Sequence, residues 1–288
     1  MELRCIICGL RYVSKKLLIL AITISIFTFL AIIFRDGLIV GESAIESLPE
    51  DFFPLLGMKS IKQMEVCKEF IFIIIGILNL VVMGMISIQS ANIFRYGINF
   101  KQYAFVLYQP YGRIYYYIVR YLSSMICGFL LWTGYIVECE IALAVISAQT
   151  DTNYILGEYF VKMGALGLLL VLFMISTGIL YSTLKGNVFT YSNIVISVIM
   201  LCFLVGNAYK VSNLIAYYMR ILQKDTSIVD TIGNILSNFT WLHPLEQLNL
   251  FMIQSERTFI GILCIYMIVG VLFTVVSFLV YMRKDLKQ

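Results

Sequence analysis

Charge is scarce in this 288-residue chain: Asp, Glu, Lys and Arg together make up 13% of it, and histidine occurs once. An average soluble domain carries roughly 25% charged and about 45–50% apolar residues, whereas 60% of this chain is hydrophobic. The shortage excludes a water-soluble enzyme, a nucleic-acid-binding module and a disordered regulator. Catalytic signatures are missing as well. No G-x-x-x-x-G-K-[ST] phosphate loop, no H-E-x-x-H and no G-x-S-x-G occurs. His243 has no second imidazole with which to share a metal. The seven cysteines (Cys5, Cys8, Cys67, Cys127, Cys139, Cys202, Cys264) are odd in number and lack a framework spacing, which argues against a disulfide scaffold. Cys5-x-x-Cys8 has no second ligand pair and reads as two small apolar residues. The chain is therefore expected to be no enzyme, with no metal or cofactor of its own.

What the chain does have is long apolar runs. A helix that crosses about 30 Å of hydrocarbon needs roughly 20 apolar residues at about 1.5 Å each. Six such runs predict an all-α polytopic membrane protein with spans at 17–34, 70–88, 113–148, 163–184, 186–209 and 258–282. The first run is too long for a cleavable signal core and is followed by no cleavage site, so it reads as a retained anchor.

The basic residues predict the orientation. With the N-terminus in the cytoplasm, twelve Lys and Arg fall inside against two acids, Glu2 and Asp285. The connection Gln89–Arg120 alone holds Arg95, Lys101, Arg113 and Arg120 and no acid. Both termini are thus expected to be cytoplasmic, in a multi-pass plasma-membrane protein.

The connections have characters of their own. Residues 1–16 place Leu3, Ile6, Ile7 and Leu10 on one helical face, which predicts a basic amphipathic helix on the inner leaflet. Residues 89–112 predict a short cytoplasmic helix over Ser90–Leu107, ended by Gln109-Pro110-Tyr111-Gly112. Outside, 35–69 is acidic around Phe52-Phe53-Pro54, and 149–162 is a further outer loop. Within 210–257, Val211–Leu222 and Phe239–Ile253 are too short to span and predict interfacial or re-entrant helices before the sixth span. Residues 283–288 form a basic tail.

Glu138 and Glu140 are the one acidic pair in an apolar context. With the third helix starting near Ile114, Glu138 lies about 36 Å along it, at the outer interface. Two readings stand: hydrated interfacial acids, or an outer gate or relay.

This order of parts resembles the permease subunits of bacterial ABC exporters of the type-two class. Two stretches carry the resemblance: Gln109-Pro110-Tyr111-Gly112-Arg113 with Arg120 at the start of the third span, and Tyr281-Met282-Arg283-Lys284-Asp285-Leu286 at the close. Tyr96-Gly97-Ile98-Asn99 departs from the family in lacking an acid after the glycine. The resemblance implies that the 89–112 segment is a coupling helix, docked through Arg95, Tyr96, Phe100, Lys101 and Tyr103 onto a separate ATPase subunit that holds ATP and Mg. It also implies a second permease subunit, identical or sister, with membrane lipids around both. Its cargo would be an amphiphile such as a peptide antibiotic, bacteriocin or drug, and the Met- and aromatic-rich helices suit an adaptable apolar cargo. The competing expectations are an ion-coupled secondary transporter, which favours internal repeats not seen here, and a non-transporting membrane immunity or sensor protein.

Overall fold

The computed structural model describes residues 2–33, 66–96, 112–150, 156–184, 187–223, 225–237 and 256–283. Among these the chain is entirely helical, in seven helices: α1 (Glu2–Ile33), α2 (Val66–Tyr96), α3 (Gly112–Thr150), α4 (Leu156–Leu184), α5 (Val188–Ile221), α6 (Ser227–Ser237) and α7 (Glu256–Arg283). Four contain stretches long and apolar enough to cross a membrane: Ile7–Ile33, Gly112–Ile146, Gly167–Leu184 and Cys264–Arg283. Residues 35–65 of the expected 35–69 outer loop, the 97–111 part of the coupling segment, the 239–253 helix and the tail beyond Arg283 lie outside the described residues.

The bundle is inside-out by the standard of a water-soluble protein. On α3 the buried positions run Tyr116, Arg120, Ser123, Cys127, Leu131, Tyr135, Cys139, Ala142 and Ile146, at helical spacing. The opposite face, Ile118, Leu122, Ile126, Leu130, Val137 and Ile141, is exposed and just as apolar. The outer face of α7 is the same, with Ile265, Ile268, Leu272, Val275 and Leu279 exposed. A helix apolar all round suits lipid, not water.

Helices α3 and α4 are central. α3 packs against α1, α2 and α4, and α4 packs against α2 and α7. Close approach at these seams depends on small residues. A Cβ on Gly178 would collide with the Ser87 carbonyl oxygen, and one on Gly167 with the Trp132 indole. The Trp132 Nε1–H donates to the Gly164 carbonyl at 3.0 Å, which locks the same seam.

Contacts along the seams give the directions. Ile75 meets Tyr135 and Phe94 meets Tyr116, so α2 runs against α3. Ile175 lies at Gly128 and Gly164 at Trp132, so α4 also runs against α3. Gly9 lies at Cys127 and Leu17 at Gly134, so α1 runs with α3. α7 runs with α4, and α5 runs against α2. The six long helices therefore alternate, and the starts of α1, α3 and α5 meet the ends of α2, α4 and α7 at one end of the bundle.

Three expectations are revised. The interfacial helix at 1–16 and the span at 17–34 form one continuous α1, because no proline or other breaker separates them. Ser90–Tyr96 is the last part of α2, not the start of a separate helix. Val211–Ile221 is the continuation of α5, since the single charge of Lys210 does not stop a helix. The break comes later, where Gln223 adopts a left-handed φ of 52° and its N–H donates to the Arg220 carbonyl. The short helix beyond it is α6, whose Ile228, Ile232 and Ile235 form an exposed apolar stripe.

Candidate functional site

The end of the bundle where six helix termini meet holds a buried cluster of aromatic and arginine side chains. At the close of α2, Phe94 is fully buried and sits edge-on to Tyr116, Tyr117 and Tyr281, with ring centroids 5.4–6.2 Å apart. Tyr116 and Tyr281 stack at 6.0 Å. The Tyr116 hydroxyl donates to the Phe94 carbonyl at 2.9 Å. Two arginines close the cluster. Arg113 Nη1 donates to the Met282 carbonyl at 3.2 Å, and Arg120, 3% exposed, donates to the Ile93 carbonyl while its guanidinium lies 5.2 Å from the Tyr116 ring centre. Carbonyls near a helix C-terminus lack intrahelical donors and carry partial negative charge, so cations are favoured there. Both arginines cap helix ends from the neighbouring helix.

This junction brings together the two stretches singled out in the sequence. Arg113 and Arg120 come from the start of α3, Tyr281 and Met282 from the end of α7, and Phe94 from the turn that leads into the 97–111 segment. Of the expected docking residues, Arg95 is half-buried in the last turn of α2, which Tyr96 closes. Phe100, Lys101 and Tyr103 lie outside the described residues.

Two hydroxyl networks cross the bundle interior, and neither was signalled by any motif. On one flank of α4, Ser176 hydrogen-bonds Thr274 (2.9 Å), which also reaches Tyr121 (3.3 Å). Tyr117 donates to the Thr274 carbonyl (3.0 Å) and pairs with Ser277. On the other flank, Thr177 hydrogen-bonds Ser87 (3.0 Å), and Ser87 pairs with Tyr191 of α5. In an apolar medium an unpartnered hydroxyl is costly, so such pairs hold helices in register. The one sequence signal for them was several Ser, Thr and Tyr within otherwise apolar runs.

Glu138 is half-buried at one end of a groove between α1 and α3 that Leu10, Val13, Ser14 and Leu17 also line. Among the described residues its Oε2 has no hydrogen-bond partner. Glu140 is two residues on and so points to a different side of α3. Leu17 packs on Gly134, so Glu138 lies one turn further along α3, past the expected 1–16 interfacial segment of α1. The sequence sets the length of each helix, whereas the packing of Gly9 on Cys127 sets the stagger between them. Among the described residues no three His, Cys, Asp or Glu side chains come together as a metal site.

No family model, curated protein or solved structure matches the chain.

Proposed function

We propose that this chain is the membrane-spanning subunit of an ATP-driven exporter, with six spans, both ends in the cytoplasm, and a separate ATPase subunit that binds ATP and Mg. The observation that carries the reading is the junction of Phe94, Tyr116, Tyr117, Tyr281, Arg113 and Arg120. A lever works only if it is rigidly tied to what it moves. The 97–111 segment joins α2 to α3, and the aromatic and arginine contacts bind both of those ends to the end of α7. Force applied to this segment would be shared by three helices at once, and the hydroxyl networks relay it to α4 and α5. Six spans form half a pathway, so a second permease subunit, identical or sister, completes it. The apolar outer faces support a bilayer setting, and the excess of basic residues in the short connections supports an inward position for this end of the bundle. An adaptable interior of Met and aromatic side chains suits an amphiphilic cargo such as a peptide antibiotic or drug.

The test is co-purification with a phosphate-loop ATPase subunit. The double variant Phe100→Ala, Tyr103→Ala should insert normally yet retain less than about a tenth of the ATPase, the loss expected when two aromatic anchors of an interface are removed. Cargo should stimulate ATP hydrolysis by the reconstituted wild-type pair. Normal co-purification of the double variant overturns the docking assignment. Solute movement driven by an ion gradient, through the purified chain without nucleotide, overturns the reading as a whole.

A further inference from the structure

The outward faces of two helices read as pure lipid contact. On α3 the one exposed polar side chain between Ile118 and Ile141 is Thr133, whose hydroxyl donates to the Phe129 carbonyl of its own helix at 2.8 Å. On α7 no exposed side chain between Ile265 and Leu279 carries an N–H or O–H group. Such faces ask nothing of a neighbour.

α5 differs. Its inner face is Tyr191, Val195 and Ile199: the last two meet α2 at Gly84, and Tyr191 pairs with Ser87. The opposite face exposes Thr190, Asn193, Ser197 and Met200. Their 3-4-3 spacing makes one stripe along the helix, the pattern by which two helices interlock side by side. Asn193 lies five residues into α5, about 8 Å from its first residue at about 1.5 Å each. In the six-span reading that is within the hydrocarbon. The short amide cannot reach back to the headgroups as a lysine stem does. An outward amide there meets no donor or acceptor in lipid, which is costly.

We propose that this stripe is covered by the same stripe of a second copy of the chain, α5 against α5, with the Asn193 amides hydrogen-bonded to each other. The chemistry favours an identical partner. Two copies inserted the same way are related by a two-fold axis along the membrane normal, so a residue at the axis faces its own counterpart. A group in that position is satisfied only if it both donates and accepts, and a carboxamide does. Thr190 and Ser197 have the same property and are small enough for close approach. A single Asn in an apolar seam also fixes the register of the pair. The inference rests on the six-span reading and names its second subunit as identical; it does not depend on an ATPase.

The full-length chain in its membrane tests this, by oxidation with copper phenanthroline and mass spectrometry of the digest. Asn193→Cys and Ser197→Cys should each form a disulfide between two copies at the substituted position. Val198→Cys, exposed on the flank of α5, and Val275→Cys, on the outer face of α7, should form far less. Native mass spectrometry in detergent supplies a second measurement that needs no cysteine. Asn193→Leu should weaken the dimer on the order of tenfold, the loss expected for two interhelical hydrogen bonds. Asn193→Gln, which keeps an amide, should weaken it less. The proposal is overturned if the position-193 disulfide is absent or forms only with a different protein. It is equally overturned if Val275→Cys crosslinks as strongly, or if Asn193→Leu dimerises as tightly as wild type. The crosslink forming in the absence of any ATPase upholds this dimer even where the exporter reading fails; ATPase retained on a chain that does not crosslink removes this dimer alone.

Discussion

At the scale of single residues, the tightest constraint is Gly178, which lets α4 touch the backbone of α2. Replacing it with alanine puts a methyl group against the Ser87 carbonyl, and backbone cannot move aside as a flexible side chain does. Overpacking of this kind costs about 1–3 kcal/mol. Removing one hydroxyl from a membrane network costs less, about 0.6 kcal/mol on average. Gly178→Ala should therefore lower the thermal midpoint in detergent by more than Ser87→Ala does, and the reverse order would show that the α2–α4 seam has room for a methyl group. Neither role was legible in the sequence. A glycine in an apolar run looks the same whether it faces lipid or a neighbour, and Ser87, Thr177 and Tyr191 are far apart in the chain. The expected importance of Arg113, Arg120 and Tyr281 was legible as a motif, but their mutual contact was not.

Among the elements, helix existence was easy to read and helix ends were not. Apolar runs mark the middle of each long helix, whereas boundaries depend on local backbone chemistry such as the left-handed Gln223. α6 shows what sets a boundary. Thr226 accepts the Asp230 N–H through its carbonyl, and Asp225 accepts the Ser227 N–H at 2.9 Å. The Ser227 backbone and hydroxyl hold the Asp225 carboxyl below its ordinary range. Arg220 pairs with Asp230 at 2.9 Å across the turn. A carboxyl whose pKa is depressed in the folded state stabilises it above the unfolded value of about 3.9 and loses that contribution as pH falls through the folded value. A spin label at Ile235→Cys should thus keep constant mobility from neutral pH down to about 4 and loosen only below it. With Asp225→Ala the label should be looser at neutral pH as well. Loosening centred near neutral pH, or identical behaviour of the two proteins, would remove Asp225 as the determinant.

For the molecule as a whole, alternation of the long helices is what six successive membrane-length apolar runs predict, and that much could be anticipated. The stagger could not. α1 meets α3 fifteen residues after α3 begins, roughly 22 Å along it at about 1.5 Å per residue. A Cβ at Gly9 would lie 4.0 Å from that of Cys127, inside the range of about 3.5–4.5 Å that a disulfide requires. Gly9→Cys in a Cys8→Ser background should oxidise to a crosslink between the introduced thiol and Cys127 in the intact protein, detected as the loss of two hydrogens by mass spectrometry. Pairing with Cys139 instead would place α1 about three turns further along α3. The apolar exterior is the other molecular property that composition foretold, because there is too little charge to cover the surface of a bundle this size.

Ser176 and Thr177 are consecutive on α4, and consecutive helical residues point about 100° apart. One hydroxyl grips α7 and the other grips α2, with α5 behind it. α4 is thus a spindle latched on two sides by adjacent positions. Any twist that slackens one latch must strain or release the other, so the two flanks of the bundle cannot be unlocked independently.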